Sequence, residues 1–571
     1  MFHTVKNYFK NKTRTSYRSI DPDEIFLDSQ NLPNFNKDQF EGRIERPIKR
    51  NIIGFVAFFI LLVGMLFTWK VWQLQVMQGA TFAIKSANNS LRTTLIFADR
   101  GVIVDRKGVP IAWNEINTAT SSNFSLRVYA TSTGFSTTMG YIKYPSKDSS
   151  GFYISNAFTP KDGLEKIYNN ALIGVAGKKI EETDAKGNMI SESVIQAPEN
   201  GKNLKISIDA GIQKKLYESM LNVANFAGYK GGAGVIMDVR TGEIIASANF
   251  PEYESQVMTD GSDTELITNW IQDSTHPFLN RVVDGLYTPG SIVKPFVAMG
   301  VLDQKVIDPR TPILSTGSIS IPNPYDSKHP TVFLDWKAHG YVDLRHALAV
   351  SSDVYFYEVT GGYHVGGIQQ NGIGIDNVEK YVRMFGFGTT TNINFPGERQ
   401  GIIPDPAWKL KNFNGEAWRL GDTYHTAIGQ YGFQVTPIQA VRAVAAIANN
   451  GTLLVPTYLT GQIPVISGHV VLDPSYFTVV HEGMRLGVTE GTSKFLNEPF
   501  VNVAAKTGTA QLGVLKNEVN SWVTGFWPYE NPHYAFAVVM ERGASTNVFS
   551  STLVMKGLFD WMGTNATDYL K

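Results

Sequence analysis

The residues best able to do chemistry lie in Tyr287-Thr-Pro-Gly-Ser-Ile-Val-Lys-Pro-Phe296, where Ser291 and Lys294 stand three apart just after a Pro-Gly break. The apolar run Ile292, Val293, Phe296, Val297, Met299, Val301 and Leu302 predicts a buried helix starting at that break. Positions i and i+3 share a helix face, so hydroxyl and amine would point at one spot. The same spot receives free backbone N–H groups and the positive end of the helix dipole. A nucleophile beside a base and near N–H donors is what acyl transfer requires. Alone, the pair also fits an ordinary solvated helix face, although Ser291 is the only serine in the chain with Lys three residues on.

Two later clusters offer partners. Ala349-Val-Ser-Ser-Asp-Val-Tyr-Phe-Tyr357 puts Ser351 and Asp353 at the loop-like start of an aromatic helix. Ala505-Lys-Thr-Gly-Thr-Ala-Gln511 follows an expected strand, Val501 to Ala505, with Lys506 at its end. It holds the only Lys-Thr-Gly in the sequence. Each cluster alone is a common helix start or turn.

The elements that must carry these clusters follow from pattern. Asp209 predicts a helix cap and a helix through Asn225. Gly234 to Val239 and Glu243 to Asn249, around Arg240-Thr-Gly242, predict a hairpin. Thr436 to Gly451 has a cap, a proline first residue and a Gly at C′, and its Ala-rich face predicts close packing inside a helical subdomain. Trp522 to Trp527 and Tyr534 to Met540 predict strands antiparallel and adjacent to Val501 to Ala505. The fold class is α+β, a sheet built from both ends of the domain around a helical insert.

Upstream, Ile52 to Trp69 is an uncharged run of 18 residues, about 27 Å as a helix and apolar on every face. It starts too far into the chain and is too long for a signal peptide, and it ends without small residues. Arg43, Arg46, Lys49 and Arg50 precede it closely, while only Lys70 follows, so the positive-inside rule puts the N-terminus in the cytoplasm. The expected organisation is a polar cytoplasmic tail over 1–51, a single-pass anchor over 52–72, a mostly β pedestal over 73–200 and a catalytic domain over 201–571. Within the pedestal, 131–138 and 146–151 read as loops, Gly163 to Ala171 as a short helix, and Leu95 to Ala112 as two extended runs.

Composition sets the outer bounds. Among 571 residues, 43% are hydrophobic and 18% charged, ordinary for a folded protein with room for several domains. Lys plus Arg equals Asp plus Glu at 51 each, so no global field favours nucleic acid. There is no Cys, which excludes disulfides, thiol catalysis and Cys-ligated zinc. The glycines of 361–376 lack the Lys-Ser/Thr of a phosphate loop. Asp335 and His339 could face each other but read as ordinary surface polar residues, so neither a metal nor a cofactor is expected.

Serine-x-x-lysine, Ser-Ser-Asp and Lys-Thr-Gly in this order resemble the set of the penicillin-binding proteins and serine β-lactamases. The resemblance covers nearly everything after residue 70. Arg100-Gly-Val-Ile-Val-Asp-Arg-Lys-Gly108, Asp162-Gly-Leu-Glu-Lys-Ile-Tyr168, Asp238 to Ala246, Gly386-Phe-Gly388, Pro396-Gly-Glu398, Ile428-Gly-Gln430 and Val435-Thr-Pro437 are similar to further family motifs. A single anchor with no room for a glycosyltransferase domain resembles class B, and Ser-Ser-Asp with Lys-Thr-Gly-Thr-Ala-Gln resembles its elongation branch. The resemblance implies a β-lactam-sensitive peptidoglycan D,D-transpeptidase at the cell membrane. Ser291 would attack the stem peptide, Lys294 would take its proton and Ser351 would relay a proton to the leaving amine. Asp353 would order its loop or contact the substrate amide. Lys506 would supply charge, with Thr507, Gly508 and Thr509 binding the substrate and the backbone N–H groups of Ser291 and Thr509 forming the oxyanion hole. It also implies a SEDS-type glycosyltransferase and elongation-complex partners, although the stretch between Ala112 and Gly140 is shorter than the head such relatives carry. A D,D-carboxypeptidase, or a non-catalytic β-lactam sensor or scaffold, would use the same motifs.

Overall fold

A computed structural model describes residues 50–83, 91–118, 124–130, 134–149, 153–155, 157–183, 189–323, 326, 328–365 and 368–571. The expected tail lies outside these residues up to 49, as do 131–133 and 150–151 of the expected pedestal loops and 366–367 of the glycine-rich stretch. The chain divides into two units, Met1–Ser90 and Leu91–Lys571.

In the first unit, helix α1 (Arg50–Trp72) holds the apolar run and buries none of its residues. With the wider turn Gln73–Met77 it makes one helical stretch long and apolar enough to cross a membrane. An apolar surface on every side of a helix has its natural solvent in hydrocarbon.

The second unit opens with the strands β1 (Leu91–Ile96), β2 (Ile103–Val104), β3 (Pro110–Glu115) and β4 (Leu126–Tyr129). Helix α2 (Gly163–Ile167) and the strands β5 (Gly177–Thr183), β6 (Met189–Gln196) and β7 (Leu204–Lys205) complete the pedestal. They form one sheet in the order β4-β3-β2-β7 and another in the order β1-β5-β6. Charge explains two of the sequence motifs. Glu165, on α2, is fully buried and receives Arg100 on one oxygen and Arg127 on the other. Asp105 closes the turn after β2 by accepting the N–H groups of Lys107 and Val109. Its other oxygen accepts from Ala210 N, tying the pedestal to the next domain. Part of an expected loop is instead the short helix Ser136–Met139, with Thr137, Thr138 and Met139 buried. Asn249 and Tyr253 bond it to the catalytic domain, which removes it from solvent.

That domain is organised on a five-stranded antiparallel sheet. It takes β8 (Gly231–Asp238) and β9 (Ile244–Phe250) from early in the chain. After the short strands β10 (Ile313–Ser315), β11 (Ser318–Ile321), β12 (Thr331–Leu334) and β13 (Gly340–Val342) of the insert, it takes β14 (Ala504–Leu512), β15 (Glu518–Trp527) and β16 (Tyr534–Ala544). The strand order is β9-β8-β16-β15-β14, so the expected adjacency of the last three strands holds. Alternation along β16 shows why its sequence is apolar throughout. Ala535, Ala537 and Val539 join one core, while Phe536, Val538 and Met540 join the other.

The second core is built with helices α3 (Ala210–Ala227) and α9 (Thr552–Asn565). Asp209 caps α3 as its sequence predicts, accepting from Gly211 N and Ile212 N. Helix α8 (Pro437–Ala448) packs on the other face of the sheet, with all twelve residues buried. Its capping box joins Thr436 and Gln439. Two expectations for this helix change. Its alanines approach the sheet rather than a purely helical subdomain, and Asn450 takes the left-handed conformation two residues after the helix ends, ahead of Gly451.

Candidate active site

The Ser291 turn begins as a 3-10 turn, Gly290–Val293, and continues as α4 (Lys294–Asp303), of which nine residues are buried. Three neighbours fix it. Trp522 on β15 donates Nε1–H to Thr288 O at 3.0 Å, and Gly290 N donates to Gly429 O at 2.9 Å. The third contact is steric. A Cβ on Gly508 would stand 2.7 Å from Pro289 O and 2.9 Å from Ile292 Cγ2. Gly508 therefore lets β14 lie directly against the nucleophile turn.

Lys294 projects from α4 into the interior and is fully buried. Its Nζ donates to Asp353 Oδ1 at 2.6 Å and to Ser351 O at 2.8 Å, and lies 3.5 Å from Ser351 Oγ. Lys506 reaches the same hydroxyl from the opposite side, with Nζ 2.7 Å from Ser351 Oγ and 2.8 Å from Thr507 O. One buried hydroxyl thus stands between two buried amines. The single carboxylate at the pair, Asp353, lies on Lys294. Burial, followed by the Lys294 charge, pushes the Lys506 amine well below the usual lysine range against a smaller opposing pull from Asp353.

Ser351 is held where a β-branched or bulky residue would not settle. It follows α5 (Leu344–Val350) with φ 60°, in the left-handed region, and strain of this kind costs about 1–3 kcal/mol. What holds it is Asp335. Asp335 Oδ2 accepts from Ser352 Oγ at 2.9 Å, Val354 N at 3.0 Å and Ser315 Oγ at 3.2 Å, and Oδ1 accepts from Trp336 N at 2.8 Å. Ser352 also caps α6 (Asp353–Gly361). His339 Nε2 lies 3.4 Å from Asp335 Oδ1, and burial lowers the imidazole pKa. The reading of Asp335 and His339 as surface residues is overturned, since their side chains are 0% and 2% exposed. Sequence missed this because the strands that cover them, β10 to β13, are short and carry weak patterns. Among the described residues no group of three or more His, Asp or Glu has metal-binding spacing.

Lys506 is the third residue of β14 rather than a residue past a strand ending at Ala505. Pairing with β15 runs from Ala504 to Leu512, with Lys506 opposite Thr524, so the whole motif is strand. β14 is also the sheet's edge. Thr507 shares a 2.6 Å hydroxyl contact with Thr492, and Thr509 O accepts from Gln430 Nε2 at 3.3 Å. Thr492 and Trp522 were given no site role by the sequence, and Asp335 was read there only as a surface residue. Only Gln430 carried a motif signal.

An antiparallel sheet with an edge Lys-Thr-Gly strand, flanked by a serine turn and a Ser-Ser-Asp loop, defines a serine acyl-transfer domain. The penicillin binding protein transpeptidase domain model matches residues 232–559, and the penicillin-binding protein dimerisation domain model matches 116–206. The chain belongs to the penicillin-binding protein transpeptidase family. It is 31% identical over 434 residues to the peptidoglycan D,D-transpeptidase MrdA of Acinetobacter baumannii, covering 72% of this chain and 61% of that one. With the Escherichia coli K12 MrdA it is 26% identical over 631 residues, covering 91% and 95%. Against Pseudomonas aeruginosa PBP2 in complex with WCK 5153 the TM-score is 0.68 at 28% identity, covering 84% of this chain and 98% of that one. Against PBP2 in its complex with MreC from Helicobacter pylori it is 0.66 at 26%, covering 83% and 98%.

Proposed function

We propose that this chain is a membrane-anchored peptidoglycan D,D-transpeptidase that works through an acyl-enzyme on Ser291. The observation that carries the reading is the Ser351 hydroxyl set between the Lys294 and Lys506 amines under the Ser291 turn. In this mechanism the two amines share one proton through Ser351. With the proton on Lys506, Lys294 is free to take the proton of Ser291 as its oxygen attacks the penultimate D-Ala carbonyl. Ser351 returns a proton to the departing terminal D-Ala. Asp353 orients Lys294, which supports a positioning role in place of direct contact with the substrate amide. The backbone N–H groups of Ser291 and Thr509 form the oxyanion hole. Thr507, Gly508 and Thr509 bind the donor peptide, added as a strand to the open edge of β14.

The domain assignment is a cytoplasmic tail over 1–51, an anchor over 52–72, a pedestal over 73–200 and an extracytoplasmic catalytic domain over 201–571. β-Lactams acylate Ser291 in place of the stem peptide. The complex named for one structural relative, PBP2 with MreC, supports membership of an elongation machine, in which a SEDS-type glycosyltransferase would be a further partner. Labelling by a fluorescent penicillin is expected to vanish in Ser291→Ala, and persistent labelling would refute the site. Cross-linked muropeptides made from lipid-linked precursor separate a transpeptidase from a D,D-carboxypeptidase, which releases D-Ala alone, and from a sensor, which releases nothing.

A further inference from the structure

Helix α7 (Leu420–Ala427) runs into the turn Ile428-Gly-Gln430, which lies directly against the nucleophile turn. The end of α7 shapes it, since Gly429 N donates to Thr426 O and Gln430 N to His425 O. Tyr287 and Val435 exchange both of their backbone hydrogen bonds at 2.9 Å, and Gly290 N donates to Gly429 O at the same distance. Approach this close requires glycine. A Cβ on Gly429 would stand 2.2 Å from Gly290 O, and one on Gly290 would stand 2.8 Å from Thr509 O. With Gly508 against Pro289, three layers of bare backbone lie in contact: the Gly429 turn, the Ser291 turn and β14.

One side chain links the two outer layers. Gln430, half-buried, donates from Nε2 to Thr509 O at 3.3 Å. Thr507 O accepts from Lys506 Nζ, so both carbonyls meet side-chain donors rather than β15 and point off the free edge of β14. In a strand the N–H and C=O of one residue point the same way, so Thr509 N–H faces that edge too. Among the described residues no other side chain hydrogen-bonds the Thr509 carbonyl.

We infer that Gln430 is a positioning residue for the oxyanion hole, setting how far Thr509 N–H stands from Ser291 N–H. This rests on the acyl-enzyme reading given above and on its two N–H donors. The dipeptide Gly429-Gln430 holds both halves of the hole. Gly429 O takes the N–H of the residue before Ser291, and the Gln430 amide takes the carbonyl of Thr509. An edge strand has a sheet neighbour on one side only, so Gln430 supplies on the free side the restraint that a further strand would give. As Ser291 Oγ bonds to the donor carbonyl carbon, the π electron pair moves onto the carbonyl oxygen and the serine proton passes to Lys294. The hole must meet that new charge at hydrogen-bond distance, and an error of about 1 Å costs roughly a hundredfold in rate. Gln430 moves no proton and touches no reacting atom. Thr509 O keeps its second lone pair for a donor N–H.

The test compares the unmodified full-length protein with Gln430→Met, which keeps the length and loses the donor, and Gln430→Glu, whose carboxylate repels the Thr509 carbonyl. Stopped-flow labelling with a fluorescent penicillin separates the dissociation constant of the encounter complex from the acylation rate constant. A peptide boronic acid ending in an analogue of D-Ala, whose boron accepts Ser291 Oγ, reports the tetrahedral adduct. The acylation constant is expected to fall roughly tenfold to a hundredfold, further for Glu than for Met, with the dissociation constant within twofold. Boronate affinity should weaken by the same factor as acylation, which loss of packing alone would not produce. Acylation within twofold of the unmodified protein, boronate affinity that holds while acylation falls, or a loss confined to the dissociation constant would overturn the assignment. So would lost labelling that merely tracks the unfolded fraction in a thermal melt. Failure of the unmodified protein to label at Ser291 is a separate result that removes the acyl-enzyme reading, and this assignment with it.

Discussion

Asp335→Asn tests how the site is held together, because it keeps the shape of the side chain and changes only its bonding. The carboxylate accepts four hydrogen bonds, from Ser315, Trp336, Ser352 and Val354. An asparagine can keep its oxygen on one side only, and its amide then points two N–H groups at groups that are themselves donors. At least one buried donor is left unmatched, a loss of about 1.5–3 kcal/mol for a bond to a charged acceptor. The Ser351 backbone is strained by an amount in the same range, so the loop has reason to relax once it is released. If about 2–3 kcal/mol moves from the competent to the relaxed loop, the acylation rate falls roughly 30- to 150-fold at about 1.4 kcal/mol per decade. Stopped-flow labelling with a fluorescent penicillin reads that rate directly, with a thermal melt on the same sample as control. An acylation rate within twofold of the unmodified protein would refute the claim that Asp335 sets the loop geometry.

Other perturbations follow from the same structure. Gly508→Ala forces a methyl group against Pro289 O, and about 1–3 kcal/mol of overpacking should show as lost penicillin labelling with the fold intact by circular dichroism. Glu165→Gln leaves Arg100 and Arg127 without their carboxylate in the pedestal, and a stability loss of about 3–5 kcal/mol is expected in chemical denaturation. Glu252 is pushed up to about 8 by burial, against hydrogen bonds from Gly134 and Ser136 that pull it down. Its folded pKa is above the ordinary 4.5, so its stabilising contribution is complete below pH 4.5 and is lost as pH rises through about 8. Glu252→Gln should flatten the melting temperature across that window, and an unchanged slope would contradict the buried, protonated carboxyl. Lys506 is shifted down, so acylation should fail on the acid side once the pair of amines takes up a second proton and neither is left to act as base, and a pH–rate profile checks the limb.

Much of this architecture was legible in the chain because its signals were local. Thr436, Pro437 and Gln439 write a helix start within four residues, and the apolar run of α1 needs no tertiary context. Ser291, Lys294, Ser351 and Lys506 were readable as a set because their motifs are compact. Other features depend on contacts across long stretches of chain. Asp335 resembles any surface aspartate until β10 to β13 close over it, and Trp522 resembles any strand aromatic until its N–H meets Thr288. The charge asymmetry between the two lysines was equally hidden, since only the fold decides which of them receives Asp353. The end of the strand before Lys506 was misplaced because Thr-Gly-Thr reads as a turn, whereas nine backbone pairings with β15 keep it extended.

The sheet order β9-β8-β16-β15-β14 also bears on when the protein becomes reactive during its synthesis. The Ser291 turn leaves the ribosome early, but the edge strand bearing Lys506 is anchored only through β15 and β16, and β16 pairs with β8 up to Glu541. Until that last strand emerges, the nucleophile has neither its second amine nor the strand that lies against it. A chain ending before about residue 541 lacks part of this pairing, and its Ser291 is therefore expected to stay unlabelled by fluorescent penicillin. Competence arrives in one step, with the pairing of β16.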